Sequence, residues 1–418
     1  MKKTKKLVTS LLLCASLAVP FSSADVTETS AESHSEKLRV HIHSTNDHTL
    51  EEAKRKYGVR WDFHEKGFST EVTQSQFEAL QKNKNLSIRE VEKVYADFIG
   101  SEATRTVAPS DQTPWGIEAI YKDASITRTS GGNGIRVAVL DTGVKIDHPD
   151  LAGSAEQCKD FTNLLYPIVN NSCSDLNGHG THVAGTVLAN GGSDGLGIYG
   201  VAPETKLWAY KVLGDAGVGF SDDIAAAIRH ATDQAKQQKV NLIISMSLGS
   251  SGKSSLIADA VKYAYNNGVL VVAAAGNDGP DEDTIGYPGG LAEAVAVAAL
   301  ENVQENGTYR VADFSSRGNP LTDGDYVITE RDVEVSAPGR AIESTWHDGT
   351  YNTISGTSMA TPHISGLAAK IWAEQPRWTA AKLRAELQAR AKANDIKGGL
   401  HAATGDDIAS GFGFPAVK

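Results

Sequence analysis

The sequence predicts an α/β fold, a doubly wound, mostly parallel sheet with helices on both faces, preceded by a small ferredoxin-like α+β unit. Three observations carry this. Near-continuous apolar runs at 136–140, 207–213, 242–246, 269–275, 294–300 and 333–336 alternate with helical patterns, and unbroken apolar runs of strand length belong to parallel strands covered on both faces. Upstream, residues 38–94 read in the order strand, helix, strand, strand, helix, strand, which is the split β-α-β arrangement. The 418 residues are 40% hydrophobic and 22% charged, a makeup that sets disorder aside and allows a full core.

Taken in order, the chain opens with Lys2, Lys3, Lys5 and Lys6, an apolar run at 7–19 and then Ser22-Ser23-Ala24. This is the pattern of an export leader, expected at 1–24, and its apolar run is too short for a permanent membrane span. Cys14 falls inside it, and Leu13 is not the small residue that a lipid-modified cysteine follows. The ferredoxin-like unit follows, with strands at 38–42, 59–63, 67–72 and 88–94 and helices at 48–57 and 73–83. Residues 100–113 are polar and without period, an exposed linker where cleavage is easy, whether a plain hinge or a maturation site. We place its cut between Arg105 and Gln112, the units then being 25–109 and 110–418. In the second unit Ser221, with Asp222 and Asp223 after it, is expected to cap one helix, and Thr379 another that runs to about residue 392.

Residues 1–109 carry 16 basic and 15 acidic side chains, and residues 110–418 carry 24 and 36. No basic stripe for nucleic acid exists, and no later segment is long and apolar enough for a membrane anchor. Acidity of this kind hints only at cations. Two cysteines remain after the leader, Cys158 and Cys173, and in an exported chain oxidising conditions favour their pairing.

Reactive groups of a doubly wound sheet gather at the carboxyl ends of its strands. Asp141 ends such a strand in Val137-Ala138-Val139-Leu140-Asp141-Thr142-Gly143. A second Asp-Thr/Ser-Gly, which a two-carboxylate protease would need, is missing. In Asn177-Gly178-His179-Gly180-Thr181-His182, glycines flank a histidine that opens a helix. His182 lies one turn on, but no His-Glu-x-x-His pattern or third ligand accompanies the pair, so it reads as a packed core histidine. Gly356-Thr357-Ser358-Met359-Ala360-Thr361-Pro362-His363 sets a serine where a loop becomes a helix, whose N–H groups can hold an oxyanion. Acid, histidine and serine stand in an order that fits one lineage of Ser-His-Asp enzymes and excludes the α/β-hydrolases.

Those three motifs together resemble the signatures of the subtilisin (subtilase) family, its secreted Bacillus-type branch above all, over Trp115 to about Pro415. The resemblance implies a subtilisin-like fold and a secreted serine endopeptidase of broad specificity. Ser358 would be the nucleophile, His179 the base, Asp141 its orienting acid and Asn277, in Ala275-Gly276-Asn277-Asp278-Gly279, the oxyanion donor. It implies that residues 37–97 act as an inhibitory, folding-assisting propeptide. Gly217-Val218-Gly219 and Ser247-Leu248-Gly249 resemble strands that sandwich an extended substrate. Ala274, Ala275, Gly276 and Gly286 resemble the wall and floor of a pocket for large uncharged P1 side chains. A structural calcium is implied at Asp150 and the loop bearing Asp194, Leu196 and Ile198, with Asp111 completing an oxygen shell. Expected partners are protein and peptide substrates and the chain's own propeptide, with no nucleic acid or membrane partner, the enzyme being a monomer. Insertions depart from the plain family form: one carries the two cysteines, and the other, at 319–332, is acidic.

Overall fold

The computed structural model describes residues 37–96, 98–101 and 105–418. The expected leader, 1–24, lies outside the described residues. Strands Trp61–Asp62, Phe68–Thr73, Lys37–His43 and Ser87–Glu90 form, in that order, an antiparallel sheet. Helices Asp47–Tyr57 and Gln74–Gln81 cover it. Asn46 caps the first helix, its side chain accepting from the Thr49 N–H, and Thr73 with Gln76 makes a capping box on the second. The ferredoxin-like order is thus as expected. The last expected strand, 88–94, divides: Ser87–Glu90 stays in this sheet, while Lys93–Tyr95 leaves it to pair antiparallel with Val218–Phe220.

The large sheet runs Thr308–Val311, Val295–Glu305, Leu270–Ala274, Leu242–Met246, Arg136–Asp141, Lys206–Lys211, Ala155–Asp160 and Val169–Asn170, with Val335–Pro338 also on Val295–Glu305. Its interior pairings are parallel, and the two terminal strands are antiparallel additions. Strand alternation sends Val137 and Val139 to the face covered by helices His179–Leu188 and Thr357–Glu374, and Ala138 and Leu140 to the face covered by Ser221–Gln238 and Ser255–Asn266. That parity fixes the site, because Asp141, next in the alternation, points to the side from which the histidine and serine helices arrive.

Thr379 caps helix Ala380–Lys392 as expected. Ser221 does not act as a cap: it is already helical, and its hydroxyl donates to Glu92 at 2.6 Å. Asp222 and Asp223 occupy the first turn but are fully buried rather than solvated. Cys158 and Cys173 are joined, closing the hairpin between Ala155–Asp160 and Val169–Asn170. Among the described residues no helix is long and apolar enough to cross a membrane.

Candidate active site

Asp141 and His179 are both fully buried, with His179 Nδ1 2.8 Å from Asp141 Oδ1. The same carboxylate oxygen accepts the Thr142 N–H at 2.7 Å. This close approach explains the glycines around the histidine. A Cβ on Gly180 would strike the Gly143 carbonyl, and Gly178, at φ +108°, would drive one into the Trp346 indole. The motifs alone do not single out Asp175, which ties the segments together. Its carboxylate, buried, accepts from Thr142 Oγ1 at 2.9 Å, from the N–H groups of Asn177, Gly178 and Thr181, and from Thr181 Oγ1 at 2.6 Å. Thr142 Oγ1 in turn takes the Gly180 N–H. A short acid preceding Asn-Gly-His is the one sequence signal that could have found it.

Ser358 is in the first turn of its helix, with its Oγ 3.2 Å from the Ser247 carbonyl. Pro362 stands one turn further in than a harmless position would be, and it cannot take the Ser358 carbonyl as an i−4 partner. The Ser247 hydroxyl takes that carbonyl instead, at 2.7 Å, so a proline and a serine on different elements together fix the turn that carries Ser358. Asn277 presents its Oδ1 to the Thr357 N–H at 3.0 Å and to Thr357 Oγ1 at 3.2 Å. The amide oxygen thus accepts within the protein, and the nitrogen is the donor end of the same side chain.

Between the expected substrate strands lies a segment of the chain itself. Tyr95 exchanges both backbone hydrogen bonds with Gly249, at 3.0 and 2.9 Å, and the Ala96 N–H reaches the Gly217 carbonyl at 2.8 Å. Val94 opposes Gly219, and the Phe98 ring is 5.5 Å from that of His179. A cavity of about 590 Å³ opens alongside, lined by Leu248, Gly249, Ala274, Gly276, Gly286 and Ser358 among others. Ala275 is not on its wall: it packs with Ile285, Ala296, Ala298 and Val333. Asp278 does line it.

His182 is a core histidine, its Nε2 2.9 Å from the Ile342 carbonyl, and burial lowers its pKa to about 3. At the expected calcium site, Asp150 is buried and accepts the Ile198 N–H and the Tyr351 hydroxyl, each at 2.8 Å. Asp150 Oδ1 and Asp194 Oδ1 converge over Gly192, lying 3.0 and 3.4 Å from where its Cβ would sit. The Asp111 carboxylate is turned to its own Thr113 N–H, while the neighbouring Gln112 amide reaches the Gly195 and Gly197 carbonyls. Ile198 offers a carbonyl already accepting from Gly191, and Leu196 is exposed. Two carboxylates with carbonyl oxygens around them fit a hard cation. No three His, Cys, Asp or Glu side chains converge among the described residues, so main-chain oxygens would have to complete the shell.

Comparison with known proteins gives the family. The chain is 57% identical over 422 residues, the full length of both, to Subtilisin of Bacillus sp. (strain TA39). It is 35% identical to M-protease of Shouchella clausii (strain KSM-K16), covering 77% of this chain and 72% of that one. The solved structure of Sphericase superposes with a TM-score of 0.73 at 66% identity, over 74% of this chain and 99% of that one. S41 Psychrophilic Protease gives 0.73 at 64%, over 74% and 100%. Residues 132–413 match the Subtilase family, and the chain belongs to that family of serine proteases.

Proposed function

We propose that this protease is a secreted endopeptidase of broad specificity, made as a precursor that cuts itself, with leader 1–24, inhibitory propeptide 25–109 and catalytic domain 110–418. In this mechanism Ser358 Oγ adds to the scissile carbonyl carbon and its proton passes to His179 Nε2. Asp141 accepts from Nδ1–H, orienting the ring and stabilising the imidazolium, while the Asn277 amide and the Ser358 N–H receive the oxyanion. Collapse returns the proton to the departing amine, and water repeats the sequence on the acyl-enzyme. The observation that carries the reading is the segment 93–96, laid antiparallel between Val218–Phe220 and Gly249 as an extended substrate would be.

The same register bears on maturation. Tyr95 and Ala96 line the same cavity as Ser358, and Phe98 meets His179, which favours a first cut between Ala96 and Phe98. The linker window expected for the cut, 105–112, is instead bound elsewhere: Thr106 pairs with Tyr351, and the Ser110 N–H bonds Glu343. Trimming there would be a later, second event. Calcium would be held by Asp150, Asp194 and loop carbonyls, and when bound it supplies folding stability by tying the loop at 190–198 to the segment after Asp141. Glycine and alanine around the cavity support large uncharged P1 residues, although Asp278 on its wall favours a second preference, for basic P1. Digestion of a P1-randomised peptide library by the matured protein separates the two. Ser358→Ala should lose about 10⁶-fold in kcat, the loss known for a subtilisin serine. Residual turnover near wild type would remove Ser358 from the mechanism.

A further inference from the structure

We propose that the N-terminal unit is recognised at a second site, apart from the substrate cleft: a guanidinium-binding site made by Asp223 and the disulfide-closed hairpin, whose occupant is Arg60. The proposal rests on the reading of this unit as the protease's inhibitor. Arg60 has three donors placed on three acceptors, Nε on Asp223 Oδ1 at 2.8 Å, Nη1 on the Asn163 carbonyl at 2.9 Å and Nη2 on the Phe161 carbonyl at 2.8 Å. A planar fork suits this arrangement and an ammonium does not. The Trp61 indole N–H adds a bond to Asp223 Oδ1 at 2.7 Å, and its ring stacks on Phe161 at 6.0 Å. Arg39 closes the far side, with Nη1 2.7 Å from Asp223 Oδ2 and its guanidinium 4.3 Å over the Phe220 ring.

The second carboxylate supports the assignment. Asp222 is fully buried, and its Oδ1 lies 3.6 Å from Arg39 Nη1. Two carboxylates in one helical turn, both out of water, are costly without cations, and the structure supplies the cations from the unit that is to leave. Two of the three acceptors for Arg60 are main-chain carbonyls of the hairpin insertion, so the site depends on the backbone course of that insertion. An inhibitor unit lacking arginine and tryptophan at these places would retain the cleft strand and lose this anchor.

Arg60 and Trp61 are absent from the matured protease, so Arg60→Gln and Trp61→Phe leave the final enzyme chemically identical. The experiment follows the purified full chain and records the delay between scission, read on a gel, and activity on a small chromogenic peptide. Arg60→Gln should shorten the delay about tenfold or more, as loss of charge-assisted hydrogen bonds implies. Trp61→Phe, which keeps an aromatic ring but removes the N–H that meets Asp223, should shorten it less and keeps the test decisive if Arg60→Gln does not accumulate. Asp223→Asn should match Arg60→Gln, and the double variant should be no faster than either single one. Delays equal to wild type, or effects that multiply in the double variant, would overturn the second site. Activity appearing together with scission in the wild type would instead overturn the inhibitor reading.

Discussion

The N-terminal unit and the domain it lies on are held together by different means. The unit closes over seven buried apolar residues, Val40, Ile42, Leu50, Ala53, Phe68, Val72 and Leu80, whereas the domain packs a continuous apolar layer on each face of its sheet. A core as small as the first supplies only a few kcal/mol, and the unit is attached by few groups: Phe63 and Val94 enter the domain's apolar layer, Arg39, Arg60 and Trp61 meet Asp223, and Glu92 accepts from Ser221 and Ser254. The contrast suits the proposed maturation, in which the small unit is detached while the large sheet keeps the buried Asp141–His179 pair in place.

The largest effect should fall on chemistry inside the stable part. Asn277→Ala should lose about 10²–10³ in kcat with little change in KM, a magnitude borrowed from a subtilisin's oxyanion amide rather than derived for this one. Steady-state kinetics on a peptide substrate check it, and an unchanged kcat would take Asn277 out of the oxyanion site. Next comes packing, where the comparison itself can break. Ile42→Ala and Ile243→Ala each delete a fully buried side chain, at a cost of about 2–5 kcal/mol. In the unit this rivals its whole stability, so the Ile42 variant should fail to give a folded precursor, while Ile243→Ala should only lower the unfolding midpoint. Equal loss of folded material in both would end the contrast.

Calcium sharpens it from the other side. A cation binding only the folded domain adds about 2.7 kcal/mol at a hundredfold excess over Kd, or roughly 4 °C in midpoint for a domain of about 310 residues. Excess EDTA should remove that gain from inhibited wild type and change Asp150→Ala little. Identical wild-type midpoints in calcium and EDTA would sink the site.

Acid should separate the parts last and least. Burial, with Arg89 next, lowers His41 in the unit to about 4, and in the domain burial lowers His230 and His363 to about 4 and His182 to about 3, so only the difference in core size separates the two parts. A buried neutral histidine costs nothing above its unfolded value of about 6.5. Stability then falls as the pH drops from about 6.5 toward about 4, because the unfolded chain takes up the proton first. With the smaller core, the unit should melt out of inactive Ser358→Ala precursor at a higher pH than the domain. Circular dichroism and proteolysis across that window test this, and simultaneous loss of both would contradict it.

Much of this was legible in the sequence because the physics is local. Apolar runs such as 242–246 and 269–275 stand as interior strands since both faces are covered, and of the three residues that the glycine-framed motifs single out, Asp141 and His179 are in contact. What stayed hidden depends on tertiary register. Whether Ala275 faces the cavity or the core is decided by one step of alternation after Leu270–Ala274. Gln112, not Asp111, meets the loop at 190–198 because Asp111 bends back on Thr113. Asp175 gathers groups from three segments, and the debt left by Pro362 is met by Ser247 from another strand. Nothing in 88–94 announces that its end will leave one sheet and lie in the cleft of another.

That last feature carries the account, and it can be tested directly. Purified full chain should be sampled at early times by intact mass and N-terminal sequencing, beside Ser358→Ala handled identically. The first new N-terminus should be Asp97 or Phe98 in the wild type and absent from Ser358→Ala. A first N-terminus within 105–112, or the same cut in Ser358→Ala, would contradict the reading of residues 93–96 as the strand presented to Ser358.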